Sequence, residues 1–532
     1  MLINGDSLDE GSEISSDICI IGGGAAGLSI AAEFNGTGHT VSIIESGGLG
    51  YSKAAQALNE VETTALPIGS RARFRQFGGS TTEWSGKWLM LTSQDFTPKA
   101  WLPHSDWPLS HEDLLDYYER AALMHRGPEV EQYLKVDREQ RAHVDEVNSP
   151  VQTVPVFWLG ALALDFSTTV GQLLRPSGEM NLYHSLSITN IALDAKLSSV
   201  ASLDASTAEG RKFKIRAKHY ILAGGGIENA RLLLASNTQA PKGVGNLKDV
   251  VGRYYMDHPS GCLARVRMNA GARFPDCLGL KGVASSTHRV DLGLRLSDEF
   301  VRQQQTMNSY VVWRPVYDLA PSQSLRRLFA SLVILSKRPG QLATYAEVIR
   351  NLWQLEKVNF LKVAAYRLSL RIGLKDRRKA NHFRLNFHIE QSPRPENQIS
   401  LSSKKDPLGN PLSTLHWTLG DEEIRSVRLL HTEIKKIVDV SDDLTFEWLE
   451  GTPPDFSALQ VSDSSHHMGS TRMGVDPATS VVDRDCKVHG IDNLHIAGSS
   501  VFPRAGFANP TFTIVAFALR LADRVKQIIS PT

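Results

Sequence analysis

Between residues 17 and 34 the chain passes from a short apolar run, through a cluster of glycines, into a helical pattern, and few folds accept that succession. Asp17-Ile-Cys-Ile-Ile21 has β character, Gly22-Gly23-Gly24-Ala25-Ala26-Gly27 follows, and Leu28-Ser-Ile-Ala-Ala-Glu-Phe34 has helical spacing. This is G-x-G-x-x-G in the context it needs, between a strand and a helix. Gly22 permits the tight turn, Gly24 lets the backbone approach a pyrophosphate, and Gly27 lets the helix pack on the sheet. With Ala25 and Ala26 at its start, the helix offers unpaired N–H groups and a positive dipole end to phosphates. A second strand, Thr40-Val-Ser-Ile-Ile-Glu45, ends in a carboxylate near the spacing expected of one that binds ribose hydroxyls, and Ser46 follows it. Strand, turn, helix and acid together predict a Rossmann-like dinucleotide site. The motif alone does not separate FAD from NAD.

The rest of the chain bounds that site. Its 532 residues suffice for two lobes. A formal net charge of +1 gives no global reason to expect nucleic acid. Cys19, Cys262, Cys277 and Cys486 are scattered without C-x-x-C spacing, so no zinc site or disulfide framework is expected. The acidic start, Met1-Leu-Ile-Asn-Gly-Asp-Ser-Leu-Asp-Glu10, lacks a basic region followed by an apolar core, and no apolar run reaches the roughly 20 residues of a membrane span. A cytoplasmic, soluble protein is the expectation.

The predicted fold is α/β, with a discontinuous Rossmann-like lobe and an α+β substrate lobe containing an antiparallel sheet. Lys212–Ala223 reads as a strand leading into Gly224-Gly225-Gly226 and a helix from Ile227 to Ala235, a second strand–glycine–helix unit that rejoins the parallel sheet. Asn493–Ala497, Gly498-Ser-Ser500 and a helix from Pro510 to Ile528 return to it once more. The nucleotide lobe is placed at 1–90, 186–260 and 455–532, and the substrate lobe at 91–185 and 261–454. Phe383–Ile389 is the clearest alternating strand of the latter. His111–His125 has helical spacing, with Ser110 as N-cap and Asp113 as the capping-box acid.

Several further segments carry a family resemblance. His466-His467-Met468-Gly469-Ser470-Thr471-Arg472-Met473-Gly474 matches H-x-x-G-x-x-R-M-G, and Ala508-Asn509-Pro510-Thr511 stands just before the last helix. Ala223-Gly224-Gly225-Gly226-Ile227-Glu228-Asn229-Ala230-Arg231 and Gly78-Gly79-Ser80-Thr81 add two further segments. In these the chain resembles the glucose–methanol–choline (GMC) oxidoreductases, nearest the branch with pyranose oxidase and bacterial sugar dehydrogenases. The resemblance implies FAD as cofactor, with Gly498 in a third FAD-contacting segment and Pro510 and Thr511 at a helix end beside the flavin. It implies His466 as the base for the hydroxyl proton and Asn509 as the amide that orients the substrate oxygen. Covalent-flavin relatives have Thr-His-Trp where this chain has Thr82-Glu83-Trp84, so FAD is expected to be held without a covalent bond.

The residues themselves leave alternatives. In an extended segment His466 and His467 face opposite ways, so one of them serves packing. Asn509 before Pro510 is also a good N-cap arrangement. Trp84, Trp88, Trp101 and Trp107 suit a sugar-stacking pocket or the core. Glu390 and Gln391, at a strand end, are candidates for binding substrate hydroxyls. The basic stretch at 324–380, with Lys and Arg dominating from Arg326 to Lys379, reads as solvated amphipathic helix faces, or as a surface for an anionic membrane or partner, or as a lid. The function expected is oxidation of a sugar, glycoside or polyhydroxylated natural-product alcohol, with oxygen or a quinone as electron acceptor. A non-redox lyase on the same scaffold, or a flavin-bound module without turnover, is the alternative.

Overall fold

The computed structural model describes residues 1–135, 149–160, 163–171, 179–269, 288–316, 382–449 and 461–529. Two large sheets organise them. The first runs in the order Leu2–Asn4, Met180–His184, Val41–Ile44, Glu13–Ile21, Lys212–Leu222, Val200–Ser206, Ser187–Leu193, and Leu494–Ile496 also pairs with Lys212–Leu222. From Leu2–Asn4 to Lys212–Leu222, and on to Leu494–Ile496, the pairings are parallel. Ile18-Cys-Ile-Ile21 and Val41-Ser-Ile-Ile44 are buried at every position, as central parallel strands covered on both faces must be. The helices Ala25–Phe34 and Thr511–Ile529 cover one face, and their ends are clasped by ion pairs from Arg120 and Lys526 to Glu33 and Asp523.

The second sheet is antiparallel throughout, in the order Leu444–Trp448, Ser260–Met268, His382–Ile389, Ser309–Val316, His288–Leu296, Val151–Leu159, Lys87–Trp88. The helix Asp421–Asp439 lays Val427, Leu430, Ile434 and Val438 on it, making a second apolar core with Phe383, Leu385, Phe387 and Ile389. A three-stranded sheet joins Gln398–Lys405, Pro411–His416 and Val61–Thr63. Among the described residues no helix is long and apolar enough to cross a membrane.

The strands Lys212–Leu222 and His382–Ile389 lie where the sequence predicts them, and so does the helix Glu112–Met124. Ser110 and Asp113 exchange the two capping hydrogen bonds, at 2.9 and 3.3 Å. Two strands cross the boundaries read from the sequence. Met180–His184, from the 91–185 stretch, pairs with Val41–Ile44 in the parallel sheet, and Lys87–Trp88, from the 1–90 stretch, pairs with Val151–Leu159 in the antiparallel one. Both strands are too short for their periodicity to name a sheet. The basic stretch at 324–380 lies outside the described residues.

Candidate active site

A cavity of about 490 Å³ opens at the carboxyl ends of the parallel strands, where Ile21, Ile44 and Leu222 line it, and extends to Lys87 on the antiparallel sheet. Open parallel sheets bind ligands at this end of their strands. The glycine turn is tightly fixed there. Gly22 has φ +115°, its N–H donates to Ile44 O at 2.8 Å, and a Cβ on it would lie 2.5 Å from Ala223 O. A Cβ on Gly27 would lie 2.0 Å from Gly22 O, so glycine there serves helix–turn packing rather than the cavity wall.

Gly24 is different. Its backbone is ordinary extended chain (φ −92°, ψ −163°), and an added Cβ would find Gly79 Cα at 3.9 Å as its nearest neighbour. Neither strain nor protein packing requires glycine at 24; the side it leaves bare faces the cavity. The Ala25–Phe34 helix that starts here has no side-chain cap, so its first N–H groups are free for an anion, and Ala25 and Ala26 line the cavity. Gly498 (φ +103°) and Gly225 (φ +87°) also line it, with no protein atom within 4 Å of an added Cβ. This uncapped, glycine-bare cradle fits a dinucleotide.

Glu45, buried, accepts from Gly23 N at 2.8 Å through Oε2 and from Gly47 N at 2.7 Å through Oε1. Burial raises its pKa, while these amides and Arg75 oppose the rise. Its carboxylate ties two loops together, and each oxygen keeps a lone pair for a ribose hydroxyl. Ser46 Oγ accepts from Arg75 Nη1 at 2.8 Å at the same end. The loop Gly78–Thr81 is pinned to the first glycine turn by Gly78 N–H donating to Gly23 O at 2.9 Å. Gly79, Ser80 and Thr81 line the cavity; Gly78, left-handed at φ +90°, shapes the turn behind them. Ala223 and Gly224 line the cavity too, and Asn229 draws Gly224 N (2.8 Å), Ala497 O (3.1 Å) and Ser500 Oγ (3.0 Å) together.

At the other end lie the groups able to move a proton. The segment from His466 to Gly474 is laced between two strips of backbone. Met468 pairs with Met256 in both directions, Gly469 and Thr471 donate to Ser499 O and Ser500 O, and Met473 donates to Val501 O at 2.7 Å. Asp257 Oδ1 accepts from the N–H groups of His258 (2.6 Å), Ser464 (3.1 Å) and His466 (3.2 Å), and Ser465 turns the chain with φ +61°. The His466 ring is thereby set in the cavity wall, with Nε2 2.9 Å from Asn509 Nδ2 and Nδ1 2.9 Å from His258 Nδ1. Burial pushes the His466 pKa well below 6.5, with His258, Lys87 and His467 adding to the effect. A neutral ring is therefore the resting form.

The ring of the neighbouring His467 takes a different direction, packing beside Tyr255 with centroids 6.1 Å apart, while its carbonyl accepts from Ser499 Oγ at 2.7 Å. Asn509 is settled by its partners. Its Oδ1 accepts from Tyr310 Oη at 3.2 Å and its Nδ2 meets His466, so the amide faces the cavity instead of capping the last helix. That helix begins at Thr511, and Pro510 and Thr511 line the cavity.

Two predicted substrate contacts are elsewhere. Glu390 is fully buried, accepts from Arg504 Nε at 2.5 Å and from Asn308 N at 2.7 Å, and is held at a pKa of about 2: burial raises it, and the Arg504 and Lys99 charges more than reverse that. Gln391 bridges Asp257 N (2.9 Å) and Thr418 O (2.8 Å). A buried arginine needs a carboxylate, which explains why this strand-end acid is not free for a ligand. Of the tryptophans, Trp84 lines the cavity with Nε1 donating to Leu164 O at 2.8 Å, Trp88 and Trp107 are in the core, and Trp101 donates to Thr306 O.

The residues that sequence reasoning missed are Lys87, His258, Tyr310 and His388. Lys87 Nζ lies 3.2 Å from Tyr310 Oη and 3.1 Å from His388 Nε2, and burial lowers its pKa to about 8. A lone lysine in Trp84-Ser-Gly-Lys-Trp-Leu-Met-Leu91 was a signal for it; His258 has no local signal.

The family profile described as GMC oxidoreductase matches residues 393–518. The chain is 25% identical over 570 residues to the 6'''-hydroxyparomomycin C oxidase of Streptomyces lividus, covering 96% of this chain and 91% of that protein. It is 26% identical over 315 residues to the fructose dehydrogenase large subunit of Gluconobacter japonicus, covering 59% of this chain and 48% of that one, about half its length. Its fold is shared with the crystal structure of pyridoxine 4-oxidase from Mesorbium loti, at a TM-score of 0.58 and 16% identity, over 96% of this chain and 99% of that. The chain thus carries the GMC oxidoreductase profile in its C-terminal part and is similar over nearly its whole length to an oxidase. It is an FAD-dependent alcohol oxidoreductase, which takes a small-molecule substrate and passes its electrons to an acceptor.

Proposed function

We propose that this protein oxidises a hydroxyl-bearing carbon of a sugar, glycoside or other polyhydroxylated alcohol, with His466 as base and Asn509 as orienting amide. The observation that carries the assignment is the 2.9 Å approach of His466 Nε2 and Asn509 Nδ2 in the cavity wall. A substrate hydroxyl that replaces this direct contact accepts a hydrogen bond from the amide and donates its proton to the imidazole, which is neutral and ready to receive it. FAD bound in the cavity supplies the acceptor for the hydride that leaves the same carbon. The polar wall around the pair, with Lys87, Ser464 and Ser465, gives further hydroxyls partners, and Trp84 offers an apolar face to a sugar ring. The near full-length likeness to the 6'''-hydroxyparomomycin C oxidase supports a hydroxyl-bearing substrate. Glu83, which pairs with Arg71 at 3.5 Å, offers no ring nitrogen for a flavin bond, so we assign non-covalent FAD. Oxygen or a quinone is the acceptor class we infer.

The test is anaerobic addition of sugars, glycosides, aminocyclitols and simple alcohols to FAD-loaded protein, followed by its visible flavin band. Loss of the band with a polyhydroxylated substrate, and little with monohydric alcohols, is expected. A flavin that no alcohol bleaches would overturn the assignment in favour of a lyase on this scaffold.

A further inference from the structure

The polar groups beside the reacting pair form one chain, and its two ends dictate the direction of every hydrogen bond within it. At one end stands the ammonium of Lys87, which can only donate; it meets Tyr310 Oη at 3.2 Å. Tyr310 therefore accepts from Lys87 and gives its own proton to Asn509 Oδ1, at 3.2 Å. With Oδ1 so occupied, Asn509 presents its NH₂ to His466 Nε2, at 2.9 Å. At the other end stands the carbonyl of Gly506, which can only accept; it meets His258 Nε2 at 2.9 Å. His258 must carry its proton on Nε2. Burial holds this ring's pKa at about 4, so it is neutral and its Nδ1 is bare. Across 2.9 Å, that bare nitrogen demands a proton on His466 Nδ1. Derived from opposite ends, the two halves meet at His466 without conflict: Nδ1 protonated, Nε2 unprotonated and accepting from Asn509.

We propose that His258 is a positioning residue that fixes the tautomer of His466, leaving Nε2 as its bare nitrogen. Ring nitrogens are distinct, and the partner of one decides the protonation of the other. A neutral imidazole without such a partner divides between tautomers, and the wrong one turns a donor toward the substrate hydroxyl. In most histidine–base arrangements a carboxylate or carbonyl performs this task. Here a second neutral imidazole does, and it is itself oriented by a backbone carbonyl. His258 brings no negative charge, so it sets the proton's place without raising the basicity of His466. His258 is held from several sides: Asp257 Oδ1 accepts its backbone N–H, Ser464 Oγ donates to its carbonyl at 2.6 Å, and its ring stands edge-on to His466 at 80°.

This inference deepens the reading of His466 as base, but it is tested by a quantity the ring has whether or not it acts as one. FAD-loaded protein with ring-¹⁵N histidine is measured by long-range ¹H–¹⁵N NMR, and the His466 signals are assigned by their loss in His466→Gln. The wild type is expected to show a single pattern, Nδ1 protonated and Nε2 bare. His258→Leu removes the acceptor, and its His466 signals are expected to shift toward a mixture or to the opposite tautomer. His258→Asn puts a carbonyl oxygen near the position of Nδ1, and is expected to restore the wild-type pattern. A wild-type His466 protonated on Nε2, or a pattern unchanged in His258→Leu, would overturn the proposal. The wild-type spectrum decides the first point even where a variant does not fold.

Discussion

At the end of the cavity that receives the nucleotide, bare backbone enters the wall: Gly22, Gly24, Gly224 and Gly498 line the space with no side chain. At the end that receives substrate, the wall is side chains: Lys87, His466 and Asn509, backed by His258, Tyr310 and His388. The first end comes from turns contiguous in sequence, each between a strand and a helix. The second is drawn from both sheets and from loops far apart in the chain. One works because side chains are missing and bare amides remain; the other works because these six side chains partner one another, as a network in an apolar setting requires. The two ends should therefore fail under opposite kinds of substitution.

The largest effect is expected beside the side-chain end, where a charge is removed. Glu390→Gln leaves the fully buried Arg504 without its counter-charge, and stability in denaturant titration is expected to fall by about 3–5 kcal/mol. The acid limb tests the same pair. Glu390 is held at about 2 against an ordinary 4.5, so its contribution is full above pH 4.5 and is lost as pH falls toward 2. In Glu390→Gln that part of the acid slope is absent, and an unchanged slope would dissolve this half of the comparison.

A smaller effect is expected where a methyl is added. Gly27→Ala sets Cβ 2.0 Å from Gly22 O and is expected to cost about 3 kcal/mol. Smaller still in stability is Gly24→Ala, expected to melt within about 1 kcal/mol of the wild type because it meets neither strain nor close protein contact. Its flavin content after dialysis should nevertheless fall, since the methyl stands where the ligand's phosphates come close. Gly24→Ala with full flavin, or Gly27→Ala with an unchanged melting temperature, would show that the two glycines have other roles.

The same contrast explains what could be read from the sequence. Strand, glycine turn and helix at 13–34 and at 212–235 are local patterns, and local patterns survive in a linear string. His466 and Asn509 were legible through the motifs that hold them. Glu390 was misread because a strand-end acid looks the same whether it faces a ligand or an arginine 114 residues away. His258 and Tyr310 were invisible because their partners, His466 and Asn509, lie 208 and 199 residues further on. Met180–His184 and Lys87–Trp88 went unrecognised as strands for a related reason: pairing, not propensity, decides where a strand of two to five residues belongs.

Anaerobic stopped-flow reduction, comparing wild type with His466→Ala at equal flavin content, examines the proton-accepting role of that ring without interference from cofactor loss. The alcohol that bleaches the flavin most strongly serves as substrate. Both proteins are expected to be yellow, with reduction slower by about 10²–10⁴-fold in the variant. The wild-type rate is expected to show no acid limb at 6.5 or above, because the ring's pKa is held well below that value. A His466→Ala protein that reduces its flavin as fast as the wild type would contradict the assignment of His466 as base.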